Sequence, residues 1–285
     1  MFKIYLSLTK PGIIFGNIIT AIGGFFLASK GQIDIVLLLA MIVGLSLIIA
    51  SACVFNNIID RDIDVKMART KNRALVTHRV FTRNAILYAI VLGMVGIFIL
   101  LFLTNLLTLC ISLIGFFFYV VVYGIGKRRT VYGTVIGSIS GAVPPVVGYC
   151  AVSNQFDLGA LLLFVILVLW QMPHFYAIAI FRSTDYAAAS IPVLPLKKGM
   201  HETKIQMIVY IIAFIIATML LTVFGITGSA YLIIALLLGL WWLFVGVKGF
   251  STTDDKKWAR KMFRTSLIVL TLLCVMLSVD VFFQF

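Results

Sequence analysis

One amide and two carboxylates recur at every fourth residue where an apolar stretch of the sequence ends. Asn56, Asp60 and Asp64 would share one face of a continuing helix, with successive side chains about 6 Å apart, and Asp62 would lie on the opposite side. Like charges at this spacing repel, and a helix C-terminus disfavours an anion by about 0.3–1 kcal/mol. A divalent cation would reduce both costs, and oxygen ligands suit Mg²⁺. We therefore predict a magnesium site, against the alternative of solvated aspartates that end a helix.

Four cations follow within eight residues, at Lys66, Arg69, Lys71 and Arg73. Cations a few residues beyond a magnesium site form a suitable cradle for a diphosphate, which arginine can bind through two hydrogen bonds. The same residues could instead fix membrane orientation, and for any single one the sequence does not choose between the two.

The elements that carry these residues are membrane helices. The chain has 285 residues, of which 62% are hydrophobic and 12% charged, and its mean hydropathy is +1.14. A soluble domain has about a quarter charged residues, so a water-soluble fold is excluded, as is disorder. Four cysteines without a Cys-x-x-Cys pair exclude a disulfide scaffold.

Apolar stretches long enough to cross a bilayer number nine, which predicts an all-α polytopic bundle that forms a single domain over residues 1–285. The predicted spans are 12–29, 35–57, 84–103, 106–126, 134–152, 159–181, 205–224, 229–247 and 265–284. The prolines at 144 and 145 should kink the fifth span.

The cations predict the orientation of this bundle. With a cytoplasmic N-terminus and an outside C-terminus, 22 of the 23 lysines and arginines fall inside, and only Lys30 falls outside. The longer inside loops, about 58–83, 182–204 and 248–264, should carry the chemistry. This topology accounts for the net charge of +13 without nucleic acid.

The motif from Asn56 to Asp64, with Met67 and Arg69-Thr70-Lys71-Asn72-Arg73, resembles the first motif of the UbiA-type intramembrane prenyltransferases. The string Trp170-Gln171-Met172-Pro173-His174 is similar to the branch of that family that farnesylates heme b. The resemblance runs from Lys10-Pro11-Gly12 to Ile191-Pro192-Val193-Leu194-Pro195 and includes the count of nine helices.

The resemblance implies transfer of farnesyl from farnesyl diphosphate to a vinyl group of heme b, with Mg²⁺ as cofactor and hydration of the product to heme O. Tyr123 and Lys127 match the family's Tyr-x-x-x-Lys element and join the motif residues as the catalytic set. The residues implied to bind diphosphate are Arg69, Lys71, Arg73, Lys127, Arg128 and Arg182.

His174, with Trp170 and Gln171, would face the porphyrin, either as an iron ligand or as a donor to a propionate; a hydrogen bond across a helix interface is the alternative. The family's second acidic motif is half missing here, because Ala189 follows Asp185 at the fourth position. Asp185 is therefore a single metal ligand or a group that orients a cation.

Two other functions fit parts of the pattern. Prenyl transfer to an aromatic quinone precursor would keep the magnesium site, but the Trp170–His174 string argues against it. A transporter would carry polar residues at mid-membrane on several helices, whereas here the charges lie at the inner face. The resemblance also implies the cytoplasmic (inner) membrane, with proteins of terminal oxidase assembly or heme A synthesis as partners.

Overall fold

The computed structural model describes residues 1–283, and this part of the chain is helical without a strand. Nine of its helical segments are long and apolar enough to cross a membrane, which confirms the predicted bundle. They are Pro11–Ser29, Ile35–Ile59, Thr82–Leu103, Leu106–Arg129, Gly133–Ser153, Leu158–Phe181, Met200–Val223, Ser229–Ser251 and Asp255–Phe283. The predicted end of the last span, at residue 284, lies outside the described residues.

Several spans are built from more than one helix, and short helices connect others. The α-helices are α1 Phe2–Leu8, α2 Pro11–Ser29, α3 Ile35–Ile59, α4 Arg61–Asp64, α5 Thr82–Leu103, α6 Leu106–Phe117, α7 Tyr123–Arg129, α8 Gly133–Gly141, α9 Val143–Ser153, α10 Leu158–Phe181, α11 Ser183–Ala188, α12 Leu194–Lys197, α13 Met200–Val223, α14 Ser229–Val247 and α15 Asp255–Val279. A π-helical turn, Phe118–Val122, joins α6 to α7, and 3₁₀ turns follow α14 and α15.

Aspartate side chains cap the N-termini of several long helices. Asp34, Asp157 and Asp254 accept hydrogen bonds of 3.0–3.1 Å from backbone amides of the first turns of α3, α10 and α15. The cap at Asp254 starts α15 at Asp255, well before the predicted position 265. The cations between them hide this extension from a hydropathy scan, although Trp258 and Met262 bury one face of it.

Two interruptions shape the interior of the bundle. The span Gly133–Ser153 breaks at Ala142, and Pro144 and Pro145 occupy the first turn of α9, as the predicted kink requires. The helix of the acidic motif breaks at Asp60, whose φ of −86° and ψ of 1° separate α3 from α4. The expectation that the motif lies on one continuing helix is therefore wrong.

Helix packing leaves a cavity at the centre. α2 packs against α9 and α15, α3 against α5, and α10 against α13 and α15. Apolar side chains on the outer faces, such as Phe98 and Phe102 on α5, are exposed to the surroundings. In a bilayer those faces contact lipid. The polar groups that could take part in a reaction therefore lie inside the bundle, around the cavity.

Candidate active site

A cavity of about 1150 Å³ lies between α2, α3, the α6–α7 and α8–α9 spans, α10 and α15. The residues that line it differ from one wall to another. The acidic motif and several cations contribute charged groups, whereas Trp170, Phe175 and Phe263 contribute aromatic rings. The cavity can therefore hold a ligand with an anionic group and an extended apolar part.

The three motif residues line this cavity together. Asn56, Asp60 and Asp64 are 3%, 6% and 1% exposed, although the helix breaks between them. α3 positions Asn56, and the break at Asp60 with the single turn of α4 returns Asp64 to the same wall. The four-residue spacing thus brings the groups together by a route other than helical periodicity.

Each motif side chain contacts a cation of the protein, and two of these cations, Lys10 and Lys127, come from distant parts of the chain. Lys10 donates to Oδ1 of Asn56 at 2.6 Å, Arg73 pairs with Asp64 at 2.6 Å, and Lys127 pairs with Asp60. Burial lowers the pKa of Lys10 to about 8. Cations of the protein therefore supply part of the charge compensation that the sequence argument assigned to a metal.

The donor set still fits a magnesium ion. Oδ1 of Asp60 is buried without a hydrogen bond, at 3.6 Å from the guanidinium of Arg128. Within residues 1–283 there is no cluster of three His, Cys, Asp or Glu residues that could hold a metal by itself. Two carboxylates and an amide oxygen match Mg²⁺, which is usually bound by one or two carboxylates together with substrate phosphates.

Asp62 is exposed and does not line the cavity, unlike the other two aspartates of the motif. Its exposed carboxylate accepts two hydrogen bonds of 2.8 Å from the guanidinium of Arg128. These hydrogen bonds lower the pKa of Asp62. Arg128 also donates to the carbonyl of Ile59 at 2.5 Å. Arg128, expected to bind diphosphate, does not line the cavity and instead holds the end of α3 to α7.

The other predicted diphosphate ligands divide into two groups. Arg69, Arg73 and Arg182 line the cavity, whereas Lys71 is exposed and does not. Asp185, predicted as a metal ligand or an orienting group, is also absent from the cavity wall. Its carboxylate accepts from the backbone amide of Ala68 at 3.1 Å and lies 4.0 Å from Arg182, so it orients the loop that carries Arg69.

Tyr123 and Lys127 both line the cavity, one turn apart on α7. The ammonium of Lys127 lies 4.9 Å from the centroid of the Tyr123 ring, and that ring stacks on Tyr119 at 5.8 Å. Lys127 is thus fixed by a carboxylate and by an aromatic face.

The predicted heme-facing residues line the cavity from α10. The rings of Trp170 and His174 stack at 4.6 Å, and both bind Ser266 of α15: Trp170 donates to its carbonyl at 2.9 Å, and Nδ1 of His174 lies 2.7 Å from its hydroxyl. The amide of Gln171 donates to the carbonyl of Ser138 at 3.0 Å. These contacts match the helix-interface alternative, and they leave Nε2 of His174 for a ligand.

Several cavity residues were missed by the sequence analysis. They are Lys10, Tyr119, Tyr186, Arg260, Phe263 and Arg264. Burial raises the pKa of Tyr186, which keeps its phenol protonated. The four-residue spacing of Arg260 and Arg264 is visible in the sequence, but the preference of cations for the cytoplasmic side explains both equally well.

Comparisons with known proteins agree with this geometry. A model of the UbiA prenyltransferase family matches residues 17–268. The chain is 55% identical over 280 residues to the protoheme IX farnesyltransferase of Protochlamydia amoebophila, covering 98% of this chain and 99% of that protein. It is 56% identical over 282 residues to the protein of the same name from Sodalis glossinidius, covering 98% and 95%.

Solved structures share the fold at low sequence identity. A digeranylgeranylglyceryl phosphate synthase structure superposes with a TM-score of 0.80 at 20% identity and covers 98% of each chain. A UbiA homolog from Archaeoglobus fulgidus, solved with GPP and Mg²⁺, gives a TM-score of 0.68 at 14% identity, covering 96% of this chain and 99% of that one.

Proposed function

The chain belongs to the UbiA prenyltransferase family, and from that premise we propose that it transfers the farnesyl group of farnesyl diphosphate to a vinyl group of heme b. The relatives that match it over nearly their whole length are named protoheme IX farnesyltransferase. The product is heme O, in which water has added to the alkylated vinyl group.

The observation that supports this proposal is a single cavity with a charged wall and an aromatic wall. Its volume of about 1150 Å³ exceeds the range of about 300–1,000 Å³ that is usual for a single small ligand. The side with Asp60, Asp64 and Arg73 suits a diphosphate and its metal, and the side with Trp170 and Phe263 suits a flat apolar macrocycle. Two substrates of these kinds can therefore meet in it.

The residues of the chain bind and orient the departing group. Asn56, Asp60 and Asp64 would hold Mg²⁺, which when bound supplies neutralisation of the diphosphate charge. Arg69, Arg73 and Lys127 lie on the same cavity and add hydrogen-bond donors for the phosphate oxygens. Tyr123, half-buried beside Lys127, presents its ring to the cavity.

The bond changes follow from this arrangement. The bond between C1 of farnesyl and the diphosphate oxygen breaks, and its electron pair leaves with the diphosphate. The π electrons of the heme vinyl group form the new bond to C1, and water then adds to the resulting cation and loses a proton. The apolar part of the cavity would protect the allylic cation from water until the vinyl group is present.

The setting of the reaction is a membrane, since nine segments of the described chain are able to span one. We place the enzyme in the cytoplasmic (inner) membrane with its N-terminus inside. Both substrates partition into a bilayer, and the product would pass to proteins of heme A synthesis or terminal oxidase assembly.

Mass spectrometry of the reaction products tests the function directly. We expect purified protein supplied with heme b, farnesyl diphosphate and Mg²⁺ to form a heme that has gained a farnesyl group and one water. Excess chelator should stop the reaction, and added Mg²⁺ should restore it. Unchanged heme beside a prenylated quinone precursor, offered in the same mixture, would contradict the proposal.

A further inference from the structure

Two arginines on the cavity wall have no polar partner among the residues that the structure describes. Arg260 and Arg264 lie one turn apart on α15, and both line the cavity while remaining accessible to solvent. Within residues 1–283 neither side chain makes an ion pair or a hydrogen bond under ordinary distance criteria. An unpaired guanidinium at the edge of a ligand cavity is available for an anion of the ligand.

The cations on the opposite wall are already engaged. Lys127 and Arg73 pair with Asp60 and Asp64, and Lys10 donates to Asn56. These groups balance the acidic motif and the diphosphate that it would bind through a metal. They do not account for a second pair of cations on a different helix, where no acidic residue lines the cavity.

The side chains around the arginine pair form a surface that suits a flat, apolar ligand. Phe263, which lies between the two arginines, and Leu267 and Leu270, which follow them, line the same cavity from α15. The ring of Phe263 lies 4.8 Å from that of His174, which stacks on Trp170. This wall therefore combines two cations with aromatic and aliphatic side chains.

We propose that Arg260 and Arg264 bind the two propionate carboxylates of the heme acceptor. This inference rests on the proposed function and adds a specificity element to it. Heme b carries both carboxylates on one edge of the macrocycle and its vinyl groups away from that edge. Anchoring the propionates at the arginines would hold the ring against the aromatic wall and direct the vinyl groups into the cavity.

The test compares Arg260→Gln/Arg264→Gln with a matched double variant, Lys257→Gln/Lys261→Gln. The lysines lie on the same helix with the same spacing and are exposed, but they do not line the cavity. The control thus removes the same charge without touching the ligand. Because a charge-assisted hydrogen bond contributes about 1.5–3 kcal/mol, we expect the arginine variant to raise KM for heme b about 10- to 100-fold. KM for farnesyl diphosphate should change less than about twofold by the same reasoning.

The dimethyl ester of heme b separates the propionates from the rest of the ligand. The wild-type protein should use the ester with a KM close to that of the arginine variant for heme b, and the variant should not distinguish ester from acid. An unchanged KM for heme b, or an equal loss with the ester, would overturn the assignment of Arg260 and Arg264. If the wild-type protein leaves heme b unmodified, the proposed function itself fails and this inference fails with it.

Discussion

The acidic motif places two carboxylates in a confined space and pairs each with a different cation. Asp60 is held by Lys127 of α7, whereas Asp64 is held by Arg73 of the loop after α4. A buried ion pair stabilises little in net terms, but removing one partner leaves an uncompensated charge and is costly. The arrangement therefore holds carboxylate oxygens at the place where we propose that a metal and a diphosphate bind.

Replacing either buried aspartate by asparagine tests this role at the level of single atoms. We expect Asp60→Asn and Asp64→Asn to lower kcat/KM by at least about 100-fold, the size of effect seen when one group that stabilises developing charge is removed. Asp62→Asn is the matched control, because Asp62 is an exposed aspartate of the same segment and pairs with Arg128 outside the cavity. It should keep activity within about threefold, since exposed ion pairs contribute about 1 kcal/mol or less.

Steady-state kinetics on membranes with equal amounts of each variant provides the measurement. Membrane insertion, followed by protein yield after detergent extraction, should be unchanged in all three variants. Wild-type turnover by Asp60→Asn or Asp64→Asn would exclude the magnesium assignment.

At the level of elements, hydropathy was sufficient to predict the spans but not the interruptions within them. Length and apolar content determine whether a segment can cross a bilayer, so nine spans were predictable to within a few residues at most of their ends. The break at Asp60 is a change in backbone conformation at one residue, and α15 begins at the local cap of Asp254, ahead of a charged first part. A hydropathy window averages over such local features.

The part of the site that depends on local spacing was predictable from the sequence, and the part that depends on contacts between distant residues was not. Asn56, Asp60 and Asp64 share a local spacing that the sequence displays directly. Lys10, by contrast, reaches Asn56 across 46 positions of the chain, and nothing local marks that pairing. Asp185 occupies the first position of the half-missing second motif, yet its carboxylate accepts a hydrogen bond from the backbone amide of Ala68 and does not line the cavity.

Close contact between α2 and α9 depends on glycines whose replacement can be tested. A Cβ added at Gly24 would overlap the carbonyl of Pro145, and one added at Gly148 would overlap the carbonyl of Ala21. Both obstacles are backbone atoms, so neither can move aside by a rotamer change. We expect Gly24→Ala and Gly148→Ala each to destabilise the bundle by about 1–3 kcal/mol through overpacking.

Gly16→Ala is the control on α2, because a Cβ there meets no atom within 4 Å. Alanine is favoured over glycine in a helix by about 1 kcal/mol, so this variant should be as stable as the wild type or more so. Thermal unfolding of the detergent-solubilised proteins measures the difference. Equal melting temperatures for Gly24→Ala and Gly16→Ala would show that α2 and α9 do not approach as closely as described.

The whole molecule combines an apolar exterior with charges gathered towards particular loops. The loop after α4 and the start of α15 carry many of the cations, whereas the loop between α2 and α3 contains one cation, Lys30. Positively charged loops remain on the cytoplasmic side of a membrane. The acidic motif and the arginine pair of α15 would then both open towards the cytoplasm, where a soluble diphosphate product can leave.

This orientation can be measured by labelling single cysteines with a membrane-impermeant thiol reagent. Cys110 is the exposed one of the four native cysteines, so Cys110→Ser supplies a background in which the remaining three are buried. In it, Gln32→Cys probes the loop between α2 and α3, and Lys71→Cys probes the loop after α4; both positions are exposed. We expect intact cells to label Gln32→Cys and not Lys71→Cys, and inside-out vesicles to give the reverse. Labelling of Lys71→Cys in intact cells would invert the proposed topology and move the site to the outer face, because α3 must cross the membrane between the two probes.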